Sequence, residues 1–343
     1  MSRRRAHLTF ASITGFLVAG VGVLIWVLTV LAPSWAPTNV TPASDTGAPA
    51  PVVDGLVPAA DGLALPKKLG SLRFAVMGDV GRGDRAQYDT AAEMARWRDK
   101  FDFRFVLMLG DNMYGLGSPR DYEDRFERPY KTLLDAGVVF YAANGNHDPP
   151  SILTYGPYNM NGRRYYTFTK HEGALPIGQR TVRFFAIDTV RLDSTQLSWL
   201  RRELGAANDD WEICFYHHPL YTSGRYRAVA AYIRSQLEPI LVQFGAHVGL
   251  AGHEHFYERL IPQRGILHFT SGAGGALRVG DIRPSTISAA GFDTDTHFIL
   301  MEISGDDLYF QAISRTGQTI DSGHITRIKR PDPPPSIAPA IRR

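Results

Sequence analysis

Residues 103–114 read FRFVLMLGDNMY, an apolar run that stops at Gly110 and is followed at once by a carboxylate, an amide, a thioether and a phenol. A short apolar run closed by a turn residue reads as a buried strand. The polar burst after it marks a strand end that faces something other than core. Working outward, the same arrangement recurs. Upstream, Leu72–Met77 (LRFAVM) ends in Gly78-Asp79. Downstream, Val138–Ala143 ends in Gly145-Asn146-His147-Asp148, Val182–Ile187 in Asp188, Trp211–Tyr216 in His217-His218-Pro219, and His247–Leu250 in Gly252-His253-Glu254-His255.

Helical patterns fall between these strands. Residues 84–100 carry helical spacing, with Tyr88, Ala91, Ala92 and Ala95 on one face. Ser118-Pro119 is a hydroxyl cap followed by proline at the first helical position, which predicts a helix to about Leu134. A further helix is expected from Ser194 through Gly205. From Leu267 onward the pattern turns to short strands: 267–270, 298–303, 308–314 and 318–325. Alternating strand and helix giving way to strands predicts an α/β fold, a two-sheet β-sandwich flanked by helices. In open α/β sheets ligands bind beyond the carboxyl ends of strands. Asp79, Asp111, Asn146, His217 and His253 all sit there.

The chain of 343 residues carries a net charge of +3. Arg3, Arg4 and Arg5 balance Asp45, Asp54 and Asp61, and the positive excess lies in the last residues, from Arg327 to Arg343. The body is therefore near neutral, which argues against a nucleic-acid partner. The single cysteine, Cys214, lies in an apolar strand and reads as a core residue, not a nucleophile. Residues 8–32 hold no formal charge and are long enough to span a bilayer. With residues 1–7 basic and cytoplasmic, the bulk would face outward, at the cell membrane. A cleaved signal segment ending near Ser34-Trp35-Ala36 is the rival, and would give a secreted protein. Residues 33–66 read as a Pro/Ala-rich linker, 67–329 as the folded domain, and 330–343 as a Pro-rich basic tail. No feature sets an oligomeric state.

Carboxylate, imidazole and amide donors suit hard or borderline cations. Each burst alone could be a turn; the five that begin at Asp79, Asp111, Asn146, His217 and His253, in order and all after buried strands, point to a metal centre. These blocks resemble those of the calcineurin-like metallophosphoesterases. Tyr114, three residues after Asp111, is similar to the purple acid phosphatases, and Asp188-Thr189-Val190 with Thr195–Leu200 resembles their small, tartrate-resistant branch. The resemblance implies two metal ions. One, Fe(III), would be held by Asp79, Tyr114 and His255; the other, Fe(II), Zn(II) or Mn(II), by Asn146, His217 and His253, with Asp111 bridging. A bridging carboxylate suits the ~3.5–4 Å spacing of two-metal in-line phosphoryl displacement, with a metal-bound hydroxide as nucleophile.

His147 is assigned to phosphate binding or leaving-group protonation. His218 is read as lying behind the ligands or at the surface, Glu254 as pointing away, and Asp188 as a supporting acid. The remaining histidines, among them His247, His268 and His297, are read as core or surface residues. In the small purple acid phosphatases a further histidine lies nine residues after the His217 position; here that place holds Tyr226. Either His147 acts alone, or Tyr226 or Arg225 contacts the substrate. The expected activity is hydrolysis of small phosphate esters. A phosphodiesterase or nucleotidase on the same scaffold is the alternative, and a non-catalytic membrane-tethered metal-binding protein a more distant one.

Overall fold

Strands that are buried along their whole length need cover on both faces, and the chain supplies it with a second sheet on one side and helices on the other. A computed structural model describes residues 52–173 and 180–327. Its strands are β1 (Asp54–Gly55), β2 (Leu72–Met77), β3 (Phe105–Met108), β4 (Val139–Ala142), β5 (Tyr166–His171), β6 (Thr181–Ile187) and β7 (Trp211–Tyr216). They continue as β8 (Val248–Ala251), β9 (Tyr257–Leu260), β10 (Leu267–Ser271), β11 (Ser288–Phe292), β12 (His297–Ser304), β13 (Asp307–Ser314) and β14 (Thr319–Thr326). The α-helices are α1 (Arg85–Lys100), α2 (Pro119–Tyr122), α3 (Lys131–Asp135), α4 (Ser194–Gly205) and α5 (Arg227–Gln243).

Two seven-stranded sheets form, in the orders β1-β14-β13-β12-β2-β3-β4 and β11-β9-β10-β8-β7-β6-β5. The neighbours β2, β3 and β4 run parallel, as do β6, β7, β8 and β10. The parallel cores of both sheets therefore send their carboxyl ends into loops that carry the polar bursts. Between the sheets lies an aromatic layer. Phe74 stacks on Phe105 at 5.1 Å, and Phe184 meets both edge-on at 5.5 Å. Along β6 the period of two is visible: Phe184 and Ala186 belong to this inner core, whereas Phe185 and Ile187 face Leu200, Leu204, Leu237 and Ile240 of α4 and α5.

Several expectations are corrected. On α1, Tyr88 and Ala92 are exposed; the buried stripe is Gln87, Thr90, Ala91, Met94 and Trp97. Met94 and Trp97 remove far more apolar surface from water than alanines do, so they set the helix rotation. Residues 118–134 do not form one helix. After α2, capped by Ser118, the backbone widens to a π-helix over Glu123–Glu127 before α3. The wider turn seats Phe126 against Phe140 and Tyr158, at 5.0 and 4.8 Å. The linker reading of 33–66 is too long. Within its described part, β1 pairs with β14, Leu63 and Leu65 are buried, and Ala64 N–H donates to Gln311 Oε1 at 2.8 Å. Those apolar side chains anchor a proline-containing stretch onto the first sheet. The expected membrane span at 8–32 and the tail at 330–343 lie outside the described residues. Among the described residues no helix is long and apolar enough to cross a membrane.

Two core histidines couple the fold to pH. His268 on β10 and His297 on β12 are 5% and 0% exposed, and burial lowers the pKa of each to about 3. Folded values below the ordinary ~6.5 mean that, as pH falls, protons bind the unfolded chain first. The stability from keeping both rings neutral is thus complete above about pH 6.5 and is lost between there and about 3. At pH 4.5 the loss is about 3 kcal/mol for each ring. Urea unfolding at pH 7.0 and 4.5 is expected to show a His268→Gln, His297→Gln double variant losing about 5–6 kcal/mol less than the wild type loses. Equal losses would show that other groups carry the acid sensitivity.

Candidate metal centre

Three of the donors sit on strained backbone. Asp79, Asp111 and His253 have φ of 56°, 49° and 68°, the left-handed region that non-glycine residues seldom occupy. Such conformations persist only where the surroundings over-determine them. At Asp79 the surroundings are explicit: Gly275 and Ala276 donate their N–H groups to its carbonyl oxygen at 3.2 and 3.0 Å, and its own N–H donates to Gly110 O at 3.0 Å. The glycine-rich loop after β10 therefore holds Asp79 in place. Glycines also allow close approach. A Cβ on Gly145 would fall 1.9 Å from Asp111 N, and one on Gly110 2.6 Å from His217 Nδ1.

The side chains converge in two groups. In the first, Tyr114 OH donates to Asp79 Oδ1 at 3.2 Å, His255 Nε2 lies 3.2 Å from the same oxygen, and the phenol oxygen and His255 Nε2 are 3.3 Å apart. In the second, His217 Nε2 lies 2.9 Å from Asn146 Oδ1 and 3.1 Å from His253 Nδ1. Asp111 belongs to both. Its carboxylate lies with Asp79 and His255, and its Oδ1 is 3.4 Å from His217 Nε2. The structure thus brings together all seven residues expected to bind metal.

The chemistry of this donor set fits cations. Asp79 and Asp111 are 0% and 1% exposed, and among the described residues no lysine or arginine forms an ion pair with either. Two buried carboxylates without cationic partners are costly. Burial, then the charge of Asp111, holds Asp79 well above the usual carboxylate range. Burial likewise pushes the Tyr114 hydroxyl up. The imidazoles are poised as neutral ligands: burial lowers His217 well below its ordinary value, His253 to about 2 and His255 to about 4. His217 Nδ1 donates to Leu109 O at 3.0 Å, which turns the Nε2 lone pair toward Asn146 and His253. Donor atoms on adjacent corners about an ion at ~2.0–2.2 Å lie about 3 Å apart, as these do.

His147 is exposed at the rim, its ring 5.0 Å from that of Tyr114, and its N–H donates to Asp111 Oδ1 at 2.9 Å. Asp148 does not hold the His147 ring. It accepts instead from Met113 N, Gly145 N and Asn112 Nδ2, each at 2.8 Å. Tyr226 does reach the site, its ring 4.4 Å from that of His253. Arg225 does not offer itself to substrate: its Nε and Nη2 are held by Asp281 at 2.7–3.0 Å. A carboxylate 56 residues away in sequence, on another loop, takes the guanidinium first.

Four further residues stand around the site, and of these only Arg278 was not read from the sequence. His218 is 9% exposed, its ring 4.3 Å from that of His253 and its Nδ1 3.1 Å from Thr189 Oγ1, and a ring nitrogen of it lies within 4.8 Å of nitrogens of both His217 and His253, so it stands beside the second donor group and not at the surface. Glu254 points away from the donors, as expected, and its Oε1 accepts from Tyr226 N at 2.9 Å and Thr222 Oγ1 at 3.0 Å. It thereby holds the loop that presents Tyr226. Asp188 supports the site at one remove, accepting from Arg164 Nη1 at 2.6 Å and Asn144 Nδ2 at 3.3 Å. Arg278, whose guanidinium lies over the Tyr226 ring at 5.4 Å, had no sequence signal beyond its place three residues after a glycine run.

Residues 72–257 match the family model for calcineurin-like phosphoesterases. Human tartrate-resistant acid phosphatase type 5 is 25% identical over 302 residues, covering 76% of this chain and 93% of that protein. Purple acid phosphatase 17 of Arabidopsis thaliana is 25% identical over 65% of this chain and 74% of its own length. Among solved structures, purple acid phosphatase PPD1 from yellow lupin seeds superposes with a TM-score of 0.59 at 19% identity, over 78% of this chain and 55% of that one. GAP50, the anchor in the inner membrane complex of Plasmodium, superposes at 0.67 with 21% identity, over 76% and 90%. These superpositions are likenesses of fold.

Proposed function

The chain belongs to the calcineurin-like phosphoesterase family, and within it we propose a two-metal hydrolase of small phosphate esters, similar in its chemistry to the purple acid phosphatases. The observation that carries this reading is the pair of donor groups joined at Asp111, with two buried carboxylates that form no ion pair with an arginine or lysine among the described residues. Asp79, Tyr114 and His255 would hold one ion, and Asn146, His217 and His253 the other. An anionic phenolate is a hard ligand, which favours Fe(III) at the first position; Fe(II), Zn(II) or Mn(II) suits the second. When bound, such a pair supplies Lewis acidity to the phosphoryl oxygens and lowers the pKa of water.

The chain's own residues do the rest. His217 is fixed by Leu109 O, so it can only present Nε2 to the centre. The Asp111 carboxylate is oriented by the backbone N–H of His147. The His147 ring, open to solvent beside Tyr114, is the group we assign to phosphate binding and to carrying a proton to the leaving oxygen. The apolar, uncharged segment 8–32 behind Arg3, Arg4 and Arg5 supports placing the enzyme at the outer face of the cell membrane.

The test joins metal analysis, absorption spectroscopy and turnover of p-nitrophenyl phosphate on the full-length protein. Two ions per chain, turnover, and a visible band that disappears in Tyr114→Phe are expected. Turnover without any visible band would remove the ferric-phenolate assignment. A folded, metal-supplemented protein with neither bound metal nor turnover would sink the hydrolase reading.

A further inference from the structure

Two arginines stand on the loops around Tyr226, and only one carboxylate is paired there. Arg225 takes Asp281, through contacts of 2.7–3.0 Å from Nε and Nη2. Arg278 is left differently. Its backbone N–H donates to the carbonyl of His255 at 3.2 Å, which ties it to the segment carrying two donors of the metal centre. Its guanidinium lies over the Tyr226 ring, 5.4 Å from the centroid, and that ring lies 4.4 Å from His253. Its Nη1 is buried and has no hydrogen-bond partner. A buried N–H with no acceptor is costly, and more so on a charged group. The charge of Arg278 acts on the Asp79 and Glu254 carboxylates, but its guanidinium forms no ion pair with either. An arginine beside a donor cluster of this kind, dry on one arm and bonded to no carboxylate, is arranged to meet an anion that comes and goes.

Resting on the two-metal reading above, we propose that Arg278 is the substrate-binding residue that makes this site select phosphomonoesters over phosphodiesters, its Nη1 donating to an unesterified oxygen of the phosphoryl group. A monoester dianion offers three unesterified oxygens, and a diester monoanion offers two. The third oxygen, and the second charge, are what an added guanidinium rewards with a charge-assisted hydrogen bond. In a diester that place is taken by an ester oxygen, a poorer acceptor, and by its substituent. Tyr226 stands between Arg278 and His253. Here its ring carries the guanidinium by a cation–π contact, so the tyrosine and Arg278 act as one unit.

The test is kcat/KM for p-nitrophenyl phosphate and bis(p-nitrophenyl) phosphate on metal-loaded full-length wild type, Arg278→Ala and Arg278→Lys, with titration calorimetry of inorganic phosphate. Arg278→Ala is expected to lose about 10- to 100-fold on the monoester and less than about threefold on the diester. Its phosphate affinity is expected to fall at least about tenfold, and Arg278→Lys to recover part of both. A purely structural arginine would depress both esters alike and gain nothing from lysine. Equal losses on the two esters, or an unchanged phosphate affinity, would overturn the assignment. If the wild type hydrolyses neither ester, the hydrolase reading fails, and the phosphate titration still decides whether Arg278 binds the anion. If the alanine variant does not fold, the ester ratio of Arg278→Lys against wild type decides.

Discussion

Asp111→Asn is expected to lower turnover of p-nitrophenyl phosphate by on the order of 10⁴-fold and to leave fewer than two metal ions per chain. The substitution isolates charge from shape. Asparagine is among the few residues that tolerate the left-handed backbone Asp111 occupies, at φ 49°. The fold should therefore survive, and circular dichroism should match the wild type. What changes is the donor set. Asp111 is the one side chain common to both groups, close to Asp79 and His255 on one side and 3.4 Å from His217 Nε2 on the other. An amide offers one neutral oxygen and turns an N–H₂ toward a place that wants anions. A second readout has the opposite sign. Burial and then the charge of Asp111 raise the pKa of Asp79. In metal-stripped protein at neutral pH, removing that charge relieves repulsion, so the metal-free variant should melt above metal-free wild type. With metal added the order should reverse. Full turnover in a protein that still binds two ions would show that Asp111 does not bridge.

The donor residues were legible because each sits within a few residues of the strand that places it. An apolar run fixes the strand, a glycine ends it, and the next polar side chain must lie at the sheet's carboxyl edge, as with Met77 and Asp79 or Leu109 and Asp111. Their grouping is then a consequence of parallel strand order in the two sheets. The neighbours of the site obey no such local rule. Arg225 follows His217 by eight residues and Arg278 follows His255 by 23, yet which one stays free depends on where Asp281 lands. That is a matter of loop packing across sequence. The fold shows the same division. Leu72–Met77 and Trp211–Tyr216 coincide with β2 and β7, since fully buried apolar strands announce themselves. β11, reading Ser288–Phe292 with only half-buried and exposed positions, gives no such signal, because it is an edge strand held chiefly by backbone pairing to β9. α5 also passed unread, with Pro239 inside it, because its apolar face is defined only once it meets β7 and α4.

Asp148→Ala is expected to cost about 3–4 kcal/mol of stability at neutral pH and to weaken metal binding, although Asp148 belongs to neither donor group. Its carboxylate accepts three hydrogen bonds of 2.8 Å, from Met113 N, Gly145 N and Asn112 Nδ2. Those donors come from the loops after β3 and β4, which carry Asp111 and Tyr114 on one side and Asn146 and His147 on the other. Met113, Asn112 and Gly145 are all buried, so water cannot easily replace the carboxylate once it is gone. Each unmet donor costs ~1–3 kcal/mol, and partial relaxation keeps the total below the simple sum. The loss should not stay local. With the loops untied, Asn146 Oδ1 is no longer held 2.9 Å from His217 Nε2, and the second donor group loosens before the first. Urea unfolding should therefore show a lower midpoint with unchanged slope, and metal titration should show one ion weakened by about 10- to 100-fold and the other spared. Equal weakening of both ions would mean that the loops move as one body, and that Asp111, not Asp148, sets the register between them.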